Sequence, residues 1–165
     1  MIAAQNFTRW NFIAFVLLVF YVTGASAMDR FVNYSTWPIL SSVKEFPLYH
    51  SHLTRNALIV LVIPAFVSII PNIIMIRYRP DYIPAIAVWA CLLIAMIIIV
   101  SSFLIQFPLE SELNKSYSQQ AVDRLIYTDF WMRKVPSWGR VLIVLWMLNE
   151  MIRHSNKFID TKQSS

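Results

Sequence analysis

Charge is scarce in this chain. Asp, Glu, Lys and Arg make up 14% of its 165 residues, against about 25% in an ordinary globular domain. Cysteine is nearly missing: Cys91 stands alone, which leaves no disulfide framework and no Cys-based zinc site. Glycine is limited to Gly24 and Gly139, so no GxxxG pair draws two helices into close contact. The sequence holds no phosphate-binding glycine loop, no HExxH and no GxSxG. Apolar residues fill the chain instead, at 58% of the total and a mean hydropathy of +0.55. A soluble domain of roughly 150 residues still exposes about a third of its unfolded-state surface, too much to hide this composition, and disorder is excluded for the same reason. The formal net charge of +5 is scattered between apolar blocks, so nucleic acid is not an expected partner. The lipid bilayer is, and the expected class is an all-α integral membrane protein.

A helix needs roughly 20 mostly apolar residues to cross about 30 Å of hydrocarbon. Four stretches qualify, at about residues 10–27, 53–76, 83–107 and 135–152, and they predict a single four-span membrane domain over residues 1–165, a four-helix bundle. Runs of this length in lipid must satisfy their own backbone groups, which favours helix over strand. Arg9, the apolar run after it and Ala25-Ser26-Ala27 imitate a cleavable signal peptide; the segment is read here as a retained span. Residues 28–52 and 108–134 are expected as outer loops and residues 153–165 as a tail. The tight turn Arg77-Tyr78-Arg79-Pro80-Asp81 and the basic tail with Arg153, Lys157 and Lys162 favour cytoplasmic termini in an inner (plasma) membrane.

Inside the spans, Pro64 and Pro71 lie about two turns apart on one face of the second. They predict a bend, or freed carbonyls facing a polar cavity. Ser118 caps a helix whose stripe Val122, Leu125 and Ile126 is apolar. This is expected as an amphipathic interfacial helix before the fourth span, with Trp131 and Trp138 in the aromatic belt.

Three polar clusters fall on the outer side. Tyr49-His50-Ser51-His52 precedes Arg55. His50 and His52 point about 200° apart on a helix, so they share a metal only if the stretch is irregular; separate roles for the two are the alternative. Gln106, Glu110 and Glu112 end the third span, where a carboxylate can ligate a divalent ion or pair with an arginine. Asp129, Trp131, Arg133, Pro136 and Arg140 enter the fourth, and Arg140, costly in lipid, should snorkel outward or pair with Glu110 or Asp129. The first two clusters have a plain reading as interfacial or solvated polarity; the third has one as a structural ion-pair network, its alternative being an anion or carbonyl site, since arginine offers a rigid fork of donors. Their placement on one side predicts a shared pocket. Its expected catalytic groups are His50, Glu110 and Arg140. Arg55, Gln106, Asp129, Trp131 and Arg133 are expected to bind ligand, and His50, His52 and Glu110 are the candidates for a divalent metal.

The stretch Ser102-Phe103-Leu104-Ile105-Gln106-Phe107-Pro108-Leu109, then Leu113, Leu125, Thr128, Trp131, Arg133, Trp138 and Arg140, together with Phe46, Tyr49 and His50, resembles a group of small bacterial four-helix membrane proteins. That group is in turn distantly similar to the anthrone-oxygenase-like membrane proteins. The likeness covers about half the chain. Glu110 stands where the pattern has His, and Asp129 where it has Asn; both keep a polar group but depart from the pattern's ligating set. The resemblance implies an oxygenase-like activity, which fold likeness alone does not license. The expected function is a membrane pocket for a small lipophilic ligand or substrate. The alternative is a structural or accessory subunit, partnered by another membrane protein or by copies of itself. A transporter is disfavoured by the absence of internal repeats and of charge in mid-span.

Overall fold

The computed structural model describes the backbone of residues 2–40 and 44–163 and the side chains of residues 6–40 and 44–156. The fold is all-α, with four long helices over residues 2–40, 46–77, 85–113 and 119–163. Each packs on the next, and the fourth closes the ring against the first. Asn11 Nδ2 donates to Pro71 O at 3.0 Å and Tyr21 Oη to Val60 O at 3.0 Å, which shows the first and second helices running antiparallel. The first three helices are long and apolar enough to cross a membrane. The fourth is broken up by Arg133, Lys134, Arg140 and Glu150.

The helices overrun the apolar stretches that predicted them. Most of residues 28–52 and 108–134, expected as loops, are helical turns added at the far end of the bundle. Apolar runs measure hydrocarbon thickness, whereas a helix continues for as long as its next turns find packing. The helix at Gln119 begins as expected, with Ser118 Oγ accepting from the Ala121 N–H at 3.2 Å. It then passes unbroken into the fourth helix, and its stripe Ala121, Val122 and Leu125 is buried against the end of the third helix rather than turned outward. The charges expected to orient the chain through its tail, Lys157 and Lys162, lie outside the described side chains.

Each helix contains one widened turn at the end far from the termini, over residues 29–34, 58–62, 102–106 and 130–134. In three of them the cause is written in the sequence. The N–H groups of Ile63, Phe107 and Val135 reach back five residues to Leu58, Ser102 and Phe130, and each of these donors directly precedes a proline, Pro64, Pro108 or Pro136. The ring clashes with the carbonyl four residues back and offers it no donor, so the preceding turn opens to a five-residue repeat. Two of the carbonyls so released find side chains on neighbouring helices. Val60 O takes the Tyr21 hydroxyl, and Met132 O takes Ser101 Oγ at 3.4 Å.

The interior is layered. Phe12, Phe15, Val19, Met75, Val88, Val144 and Met147 belong to an apolar core near the termini. Tyr34, Trp37, Phe46, Leu109, Leu113, Val122 and Leu125 belong to a second at the far end. Between them runs a belt of buried polar side chains from all four helices, including Ser26, Ser68, Gln106, Asp129, Arg133, Lys134, Ser137 and Arg140.

Candidate functional site

The fourth helix supplies most of the belt. Asp129, Arg133, Ser137 and Arg140 are spaced four, four and three residues apart, which is one helix face, and all four are buried. Asp129, 0% exposed, is held by two cations: Arg133 Nε at 3.2 Å and Lys134 Nζ at 3.2 Å. The widened turn over residues 130–134 lets the neighbours 133 and 134 both face inward. Lys134 Nζ also donates to the carbonyl and the hydroxyl of Ser26, each at 2.7 Å, tying the fourth helix to the first. Arg133 Nη1 reaches Glu110 of the third helix at 3.7 Å. The network thus carries two acids and two bases, and formal neutrality makes its burial tolerable.

Beside it opens a chamber of about 450 Å³ whose walls come from all four helices, with Asp29, Thr54, Arg55, Glu110, Asn114 and Arg133 among its polar lining residues. It adjoins a largely apolar groove of about 600 Å³ between the first and second helices; the two share Asp29, Ala57 and Leu61. The exposed Arg55 guanidinium stands at the rim.

The expected site residues divide between places. Arg55, Glu110 and Arg133 meet in the chamber, and Asp129 lies immediately behind Arg133. His50, 1% exposed, is withdrawn behind the wall. Its ring centroid lies 4.9 Å from that of Trp37 and 5.7 Å from that of Phe46, and its Nδ1 is 2.7 Å from Asn114 Oδ1, so its ring reaches the chamber lining through Asn114. His52 is exposed. Among the described residues no three His, Cys, Asp or Glu side chains come together as a metal site, and His50, His52 and Glu110 do not form the ligand set considered from sequence. Gln106 is fully buried with both amide atoms unpaired, and Trp131 faces outward, 53% exposed.

Arg140 departs furthest from expectation. It pairs with neither Glu110 nor Asp129, both of which are engaged by Arg133. It lies 11 residues beyond Asp129, about 16 Å along the helix axis, out of reach of either acid. Instead its Nη1 donates to Ser68 Oγ at 3.3 Å, and its Cζ stands 5.2 Å from the Phe15 ring centroid. His50, Glu110 and Arg140 are therefore placed apart, each with its own partner. Ser137, in step with Arg133 and Arg140, also faces inward.

Sequence reasoning passed over Lys134, Ser26, Asp29 and Asn114 as site residues. The four-four-three spacing of the fourth helix was a readable signal. Lys134 was not, because an unbroken α-helix turns it 100° away from Arg133. Compared with protein-family models, curated proteins and solved structures, the chain matches none of them.

Proposed function

We propose that this chain is an integral membrane protein of the inner membrane, a single four-span domain with both termini cytoplasmic. It binds a small amphiphilic molecule in the outer chamber. The apolar part of the ligand lies in the groove between the first and second helices, in contact with lipid. Its polar head sits among Arg55, Glu110, Asn114 and Arg133. The observation that carries this reading is the junction of a four-helix polar chamber with an apolar lateral groove, the form expected of a site that takes a lipophile sideways from the bilayer. Large apolar side chains exposed along the helices, among them Leu17, Ile59, Ile70, Leu93 and Leu142, suit a lipid surround. Glu110 is placed to accept a proton from a bound head group, and Arg133 to hold an oxygen anion formed there. An oxygenase-like step, of the kind the family resemblance implies, would draw on those two roles.

The test is lipid extraction and mass spectrometry of the full chain purified from membranes, followed by titration with a dansyl-labelled fatty acid and its alcohol analogue. A copurifying amphiphile is expected, as is saturable binding weakened by roughly tenfold or more in Arg55→Ala and Glu110→Gln, one lost charged hydrogen bond each. Arg55 is exposed, so its variant should keep its stability to within about 0.5 kcal/mol. Absence of any bound amphiphile, with equal probe binding by wild type and variants, overturns the reading. Copurification of a stoichiometric membrane protein partner instead would replace it with an accessory-subunit role.

A further inference from the structure

The chamber is the first of three adjoining cavities. It shares Leu61, Val62, Phe107 and Arg133 with a cavity of about 60 Å³. That one shares Val22, Ala65 and Ser137, among others, with a third of about 40 Å³. The third is roughly three times the 10–15 Å³ that one water needs, and Arg140 lines it.

Arg140 is 6% exposed, and among the described residues no carboxylate reaches it. Its Nε and Nη2 are buried without a hydrogen-bonded oxygen or nitrogen partner, Nη1 is engaged by Ser68, and the neighbouring group of the third helix is the Cys91 thiol rather than a carboxylate. A buried guanidinium is always charged and demands a counter-charge. The same cavity is lined by Thr23 and Ser137, two further buried hydroxyls, and its other walls are aliphatic. Donors without an acidic oxygen suit an anion and repel nothing from it. The volume admits a halide or another ion of a few atoms and excludes a lipid headgroup.

We propose that this inner cavity binds a small monovalent anion of halide size, held by the free edge of the Arg140 guanidinium and by the Thr23 and Ser137 hydroxyls. The anion arrives through the outer chamber, past Arg133. The site neutralises the one buried cation that, among the described residues, has no acid beside it, and it does not depend on what the chamber itself holds.

The experiment uses the full chain in detergent micelles, titrated with sodium chloride or bromide against sodium gluconate at constant ionic strength. Chloride and bromide are expected to raise the thermal midpoint saturably and to broaden the chlorine NMR line, with gluconate doing neither. Arg140→Met should abolish both effects. The double variant Thr23→Val/Ser137→Ala keeps the charge and decides the matter if Arg140→Met fails to fold; its affinity should fall roughly tenfold, for two lost hydrogen bonds. A wild-type protein with no chloride-specific response overturns the proposal, since water alone then serves Arg140. Chloride binding at full strength in the double variant overturns it too, by placing the ion elsewhere.

Discussion

Replacing Asp129 by asparagine would strip the counter-charge from two buried cations with almost no change of shape. Asp129 is fully buried and stands 3.2 Å from both Arg133 and Lys134. With Glu110 the network sums to zero; the variant leaves it at plus one. Breaking a buried pair from one side costs about 3–5 kcal/mol. The lower end applies, because Glu110 still faces Arg133 at 3.7 Å and Ser26 still holds Lys134. A loss of about 3 kcal/mol is a factor of roughly 150 in the unfolding equilibrium. The assay is equilibrium unfolding of the full chain in mixed micelles, followed by tryptophan fluorescence. Adding Lys134→Met, which removes the orphaned ammonium, should recover at least half of the loss. A penalty below about 1 kcal/mol would refute the view that this network is a dry, mutually neutralised unit.

Pro136→Ala should fail to gain the roughly 3 kcal/mol that exchanging proline for alanine gains inside a helix. If the widened turn closes, the residues before it rotate about 100° and carry Asp129 and Arg133 off the inward face; a full stabilisation with the Lys134–Ser26 contact intact would contradict this. Asn114→Ala should cost about 1–2 kcal/mol, measured by the same unfolding assay, because it leaves a His50 ring nitrogen buried and unpaired. Ser26→Ala should cost only about 1 kcal/mol, since the Ser26 carbonyl still accepts from Lys134; a loss as large as that of Asp129→Asn would show that the hydroxyl is the principal anchor of the lysine.

Composition and run length were sufficient for the helical class, for the number of helices and for their approximate centres, because hydrocarbon thickness and backbone satisfaction leave few alternatives for runs of 20 apolar residues. The Ser118 cap was readable because capping is a local interaction. Arg55, Glu110 and Arg133 were legible as candidates because charges beside apolar spans are few. The partners of Lys134 and Arg140 were not legible. Those pairings depend on helix phase, and three prolines shift that phase by opening one turn apiece. The tertiary structure alone decided that Asp129 serves Arg133 and Lys134 together, that His50 is sealed among aromatic rings behind Asn114, and that Arg140 lies deep in the bundle beside Ser68 and Phe15. Periodicity says which side of a helix is buried; only the packing of four helices at a particular rotation says which buried groups meet.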